Sequence, residues 1–290
     1  MIWLLRVLWA ALPVTAGTVV ADAADGWPSG VAVVAASLAW AAWGAVVLAL
    51  FVPRPLALTV ARIGAPAATV AVALAAFRAD TASAVEVVAV VEAGAAAVLV
   101  WSAFFARACA DAVAYGDERR FPLRTPPGLL LGPVPVAVAL VAAGVSSGPL
   151  LLGDRRWALG AVVTVAGLAV AFAAGRSLHG LSLRWVVLVP NGLVVVDPMT
   201  LAEPPLLTHA QIARIGRAPV RVDGGTDVMD LRLGAVARSV RIDLSEPATL
   251  MPRVRRHRTL TPTDASALLV APLGGPELGD VYAHRRPRRV

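Results

Sequence analysis

Long apolar runs recur six times between Met1 and Gly175, at residues 2–20, 31–52, 63–77, 84–105, 129–145 and 157–174, and then stop. A bilayer-crossing helix needs about 20 mostly apolar residues, so each run qualifies or comes close. The run at 63–77 lengthens upstream through residues 56–60 if Arg62 snorkels to the headgroups, and the run at 129–145 can borrow apolar neighbours around Leu150. The pattern predicts an α-helical multi-pass membrane bundle of about six transmembrane helices over residues 1–175. Small-residue stretches at 93–97 and 160–167 let helix backbones approach closely.

Residues 176–252 follow another rhythm. Residues 183–196 are apolar enough for a seventh span, but Pro190, Asn191 and Gly192 divide them into two β-branched halves. Asn-Gly tolerates the positive φ of a type I′ turn, which predicts a hairpin of strands 183–189 and 193–197. Thr208 and Gln211 fit a capping box, with Ile212 and Ile215 on one face and Gly216 as a stop, so a short helix is predicted there. Met229, Leu231 and Leu233 then alternate with Asp230 and Arg232, and Val240, Ile242 and Leu244 with Arg241 and Asp243. That period of two predicts strands with one buried and one charged face, at least four in all, in an antiparallel sheet. The glycine-rich Asp223 to Thr226 reads as a hairpin loop. A small, mostly β (α+β) domain is thus expected over 176–252, followed at 253–290 by a basic Pro/Arg-rich C-terminal tail, partly disordered, whose one helical candidate is residues 263–270.

Composition agrees with a bilayer as solvent: 58% of residues are hydrophobic, mean hydropathy is +0.73, and 16% are charged, where soluble domains carry about 25%. All 26 basic residues are Arg, so the Lys of a phosphate-binding P-loop is missing. The single cysteine, Cys109, excludes an intramolecular disulfide and a cysteine-rich zinc site. Charge is uneven: residues 1–175 hold 10 Arg against 9 acids, residues 176–290 hold 16 Arg against 10 acids.

Basic residues near helix ends stay on the cytoplasmic side. With six spans, Arg6, Arg54, Arg62, Arg107, Arg119, Arg120, Arg124, Arg176 and Arg184 share one side, and Arg78, Arg155 and Arg156 the other. Both termini are therefore expected in the cytoplasm, in a plasma (cytoplasmic) membrane protein. Arg6, the first apolar run and Ala21-Asp22-Ala23 also resemble a secretory signal. Against that reading stand an apolar start and interruptions at Pro13 and Gly17, and either reading leaves the C-terminal domain cytosolic.

An ionisable residue inside a span is costly unless paired, which singles out Glu92 in the fourth run. It reads as a carboxyl holding helices together or as part of a proton or cation pathway. Glu86 lies nearer the surface, where Arg78 could pair with it. The loop at 106–128 is longer than a connection requires, and with Arg119, Arg120 and Arg124 it reads as an interfacial loop or a docking surface. Arg253, Arg255, Arg256 and Arg258 flank His257, and each arginine near an anionic leaflet is worth about 1 kcal/mol. These seven arginines are candidate contacts for anionic lipid headgroups or a partner protein. Nucleic-acid binding lacks an aromatic-interleaved motif to argue it. His179, His209, His257 and His284 show no metal-ligand spacing, G-x-S-x-G and kinase signatures are absent, and no catalytic residue, cofactor or metal is indicated.

The string from Arg184 to Gly192, continuing through Asp197-Pro198-Met199-Thr200-Leu201 to Ile212 and Ile215, resembles an uncharacterised multi-pass membrane protein family of actinobacteria, as does the loop from Tyr115 to Arg124 followed by 129–135. More loosely, the hairpin, the short I-x-x-I element and the later strands are similar to bacterial pleckstrin-homology-like (PH-like) domains. That resemblance implies a closing C-terminal helix and carries over no functional residue. The leading expectation is a membrane-anchored interaction or scaffold protein presenting a β-rich domain at the inner leaflet. The alternative is a small-solute or ion transporter or channel using Glu92.

Overall fold

The computed structural model describes residues 1–78, 83–220, 227–253 and 262–285. The loop expected at Asp223 to Thr226, together with Arg255, Arg256, His257 and Arg258, lies outside the described residues. The chain divides into two compact units, one of Met1–Cys109 with Val134–His179, the other of Ala110–Pro133 with Gly180–Val290.

The first unit is helical. Its elements are α1 (Ile2–Ala23), α2 (Ser29–Phe51), α3 (Pro55–Ala76), α4 (Ala84–Val100) and α5 (Ala103–Asp111). After an intervening segment of the other unit, which holds strand β1 (Arg119–Pro122) and the short helix α6 (Pro127–Leu131), come α7 (Pro133–Gly153) and α8 (Trp157–Ser182). Five of these helices are long and apolar enough to cross a membrane, and α4 with α5, bent by 53° at their junction, makes a sixth if counted as one span. The spans match the apolar runs, and α3 does begin upstream, at Pro55, where the fixed φ of proline suits a first helical turn. The condition attached to that extension is overturned: Arg62 turns inward and is only 9% exposed.

Helices α1, α3 and α4 pack closely, and α2 lies on α1 and α3. Two indoles tie α1 to α2: Trp9 Nε1 donates to the Trp43 carbonyl at 3.0 Å, and Trp43 Nε1 donates to the Trp9 carbonyl at 2.8 Å. Near one end of the pair, Arg6 donates from Nε and Nη2 to the Leu50 carbonyl at 3.1 and 3.0 Å, satisfying a backbone acceptor in the last turn of α2. Helices α7 and α8 meet glycine to glycine: a Cβ on Gly144 would strike the Gly167 carbonyl, and one on Gly167 the Gly144 carbonyl. Glu86 does not take Arg78 as its partner. It closes a capping box with Ser83 at the start of α4, while Arg78 lies 5.8 Å over the Trp27 ring.

The second unit is β-rich and holds two four-stranded sheets. One orders β1 (Arg119–Pro122), β2 (Trp185–Val189), β3 (Gly192–Val196) and β4 (Leu206–Thr208) as an antiparallel meander. The other orders β5 (Ile212–Arg217), β7 (Val240–Leu250), β8 (Thr263–Val270) and β6 (Val228–Asp230), with β6 parallel to β8. A helix, α9 (Gly275–Arg285), ends the described chain. One apolar core joins both sheets, including Val186, Leu193, Ile212, Ile242 and Leu268, and α9 adds Leu278 and Tyr282.

Four local expectations are corrected. The hairpin is present, but its turn is Pro190-Asn191: Val189 pairs with Gly192, and positive φ falls on Gly192 rather than on Asn191. Proline presets the first central φ of such a turn, so no I′ geometry is required. The helix expected at 208–216 is a turn between β4 and β5. Thr208 and Gln211 make the side-chain to backbone bonds of a capping box (3.0 and 3.4 Å), yet Ile212 and Ile215 then continue as strand. Residues 263–270 form β8, the central partner of β7, and the terminal helix lies later. The sheets are also not purely antiparallel, since β6 runs parallel to β8.

Candidate functional site

Polar groups inside the helical unit fall into two clusters. In the first, Thr15 of α1 donates its hydroxyl proton to Glu92 Oε2 of α4. Nearby, Thr69 of α3 donates to the Ala93 carbonyl at 2.9 Å. Ala89, Ala93 and Ala96 are fully buried on the same face of α4, so the small residues bring the helices close enough for these short polar side chains to reach across. Glu92 thus sits half-buried at a helix contact, bonded to a neighbour that its sequence surroundings did not reveal.

The second cluster gathers around the opening turns of α3. Thr59 lies 2.8 Å from His179 Nδ1 of α8 and donates to its own helix at Pro55 at 3.1 Å or to the ring, according to tautomer. One turn on, the Arg62 guanidinium carbon stands 4.4 Å above the Trp101 ring. Its Nε is buried with no hydrogen-bond partner. Trp101 sits at the α4–α5 bend, where Trp101 and Ser102 donate to Val98 and Leu99 in a tightened last turn. The Ser102 hydroxyl then accepts from the Phe105 amide at 3.4 Å, opening α5 as an N-cap would. Cys109, fully buried on α5, meets the Arg54 backbone at the foot of α3. Neither Arg62 nor its aromatic partner was singled out as a site by sequence; an arginine three residues after a threonine inside an apolar run was the available signal.

The candidate arginines of the β unit are held separately. Arg119 is exposed on the edge strand β1. Arg120 points to the other face, bonded to Glu118 at 3.0 Å and 5.4 Å over the Trp185 ring. Arg124 donates its backbone amide to Ala271 at 2.8 Å and its Nε is buried without a partner. Arg253 donates from its side chain to the Pro198 carbonyl and from its backbone to Thr200. The loop read as interfacial or docking therefore supplies a strand to the sheet, and of these four arginines Arg119 and Arg253 are exposed to solvent, Arg253 with its side chain bonded to the Pro198 carbonyl.

The β unit is fastened by a buried ion pair that sequence reasoning missed. Arg184 donates to both Asp197 oxygens at 2.8 and 2.7 Å and to the Leu231 carbonyl at 2.9 Å. The two side chains are 2% and 0% exposed. A thirteen-residue separation across a hairpin carries no spacing rule that would have paired them.

Among the described residues no three His, Cys, Asp or Glu side chains gather as metal ligands. Comparison with known proteins finds no matching family, curated protein or solved structure.

Proposed function

We propose that this protein is a membrane-anchored interaction module, in which the helical unit fixes the β unit at the lipid surface and the β unit binds a partner protein or anionic headgroups. The observation that carries the reading is the threading of the chain. The β unit takes β1 from between two spans and its other strands from after the last one, so covalent connections leave and re-enter it three times. A domain merely trailing from a final helix would need one connection. Three short tethers restrict it to the bilayer surface, where basic side chains find their counter-charge.

The arginine distribution supports a cytoplasmic β unit. Arg6 binds at the end of α2, which Arg54 follows as the N-cap of α3, while Arg78 rests on Trp27 of the loop between α1 and α2, in keeping with two separate arginine populations. The PH-like reading is supported by two sheets around one core with a C-terminal helix against it, and opposed in detail by the parallel β6–β8 strand pair. Transport through Glu92 is the weaker reading, because Thr15 gives the carboxyl a helix-packing role.

Photo-crosslinking from Arg119 in intact membranes tests the proposal. Reproducible adducts with one protein or with anionic lipid are expected. Their absence, together with loss of cellular function in Glu92→Gln but not in Arg119→Glu, would transfer the function to the helical unit.

A further inference from the structure

We propose that the helical unit holds an oxyanion, of the phosphate type, at the α4–α5 bend, with Arg62 as its principal ligand. The inference is independent of what the β unit binds.

The argument begins with an imbalance of charge. A guanidinium withdrawn from water inside an apolar bundle is strongly destabilising unless a counter-charge and acceptors replace its hydration. Arg62 is 9% exposed within the span α3, yet its Nε has no acceptor, and the side chain forms no ion pair among the described residues. The Trp101 ring 4.4 Å away offers a cation–π contact, which supplies neither a counter-charge nor an acceptor for the N–H donors. Cys109 is within electrostatic reach, but a thiol is a weak acceptor.

A second, independent feature lies at the same place. The span breaks at Trp101 and Ser102 with a 53° bend, so the nine-residue α5 starts there with its own first turn. Backbone N–H groups of a first helical turn carry partial positive charge and are partly unsatisfied. The Ser102 hydroxyl and carbonyl take those of Phe105 and Ala106, and the amides of Ala103 and Phe104 come before them in the same turn. A broken span with a helix N-terminus beside an unpaired guanidinium is the membrane form of an anion site. The planar fork of Arg, with parallel N–H donors, selects a two-oxygen acceptor over a monatomic ion.

Such an oxyanion has two sources, free phosphate or the headgroup of a phospholipid. Full-length protein purified in a maltoside detergent separates them. After exhaustive delipidation, inorganic phosphate is titrated in a thermal-unfolding assay, and parallel samples without delipidation are analysed for retained phospholipid by native mass spectrometry. Wild type is expected either to gain several degrees of melting temperature with phosphate or to retain one phospholipid per chain. Arg62→Met should lose that gain, or that lipid, at least tenfold. Because Arg62→Met removes an unpaired buried charge, its melting temperature without phosphate should equal or exceed that of wild type, so the variant remains testable. Arg62→Lys should keep a weaker response. A response to chloride equal to that for phosphate overturns the proposal. So does wild type indistinguishable from Arg62→Met in both arms, the result a purely structural Arg62–Trp101 contact would give.

Discussion

Both units of this molecule bury arginine, and Arg184 of the β unit and Arg62 of the helical unit are treated in opposite ways. In the β unit, Arg184 is enclosed by Asp197 and the carbonyls of Leu231 and Arg124, so its charge and its donors are answered. In the helical unit, Arg62 has an aromatic face and an unbonded Nε. A satisfied buried charge fixes one arrangement of its neighbours, whereas the buried guanidinium of Arg62 keeps a donor without an acceptor. The contrast separates architecture from candidate chemistry without appeal to any motif.

The largest expected effect breaks the satisfied side. Asp197→Ala strands a buried guanidinium and should cost the β unit about 3–5 kcal/mol. Accelerated proteolysis between Gly180 and Arg285 in the full-length protein would record it. Replacing both partners, Arg184→Met with Asp197→Leu, should recover most of the loss, because no charge is then left buried. A double variant as unstable as the single one would mean that the Leu231 and Arg124 carbonyls, not the ion pair, hold this corner.

Packing gives the next contrast. Gly144 and Gly167 cannot accept a Cβ without pushing one helix backbone off the other, while a Cβ on Gly94 meets nothing within 4 Å. Gly144→Leu should therefore destabilise the α7–α8 pair by about 1–3 kcal/mol or more, as overpacking does. Gly94→Ala should be neutral or slightly stabilising. Unfolding in mixed detergent micelles, followed by intrinsic fluorescence, measures both. A smaller effect belongs to the indole clasp. Trp9→Phe keeps most of the ring but loses a bond to the Trp43 carbonyl, and interhelical hydrogen bonds in membranes average about 0.6 kcal/mol. An effect several times larger would show that the reciprocal Trp43 bond fails as well.

How much of this was legible in the sequence depends on the range of the interaction. Span positions came from composition over windows of helical length, and α1, α2, α3, α7 and α8 lie where the apolar runs placed them. Strands β2, β3 and β7 came from local β-branched and period-two patterns. The errors arose where one local signal serves two structures. The Thr208 and Gln211 bonds close a turn as readily as they cap a helix, and β-sheet partners decided which. Residues 263–270 are the one candidate for the closing helix that the PH-like resemblance implies, and pairing along β7 makes them a strand. Glu92 stood out as a charge in an apolar run, but Thr15 was unforeseeable because 77 residues separate them. For Arg62 the apolar run alone offers snorkelling, an option that its burial removes.

The smallest expected effect concerns a half-exposed relative of the Arg184 pair, and it sharpens the comparison by adding pH. Arg232 is buried, accepted by Asp230 Oδ2 at 2.7 Å and by the Pro219 carbonyl at 2.8 Å, but the Asp230 side chain is 41% exposed. Burial pushes the Asp230 carboxyl up, and the hydrogen bonds and charge of Arg232 together outweigh it, leaving the group below its ordinary value. A carboxyl depressed on folding contributes stability above its unfolded value of about 3.9 and loses it as pH falls through the folded value. Asp230→Asn should therefore lower stability slightly near neutrality and flatten the fall in stability below about pH 4. Solvent screening keeps the increment small beside that of Asp197. Unfolding midpoints of the two proteins should converge as acid is added, and midpoints that stay parallel down to the lowest pH would remove Asp230 from the account and leave the Pro219 carbonyl and Ser239 as what holds Arg232 in place.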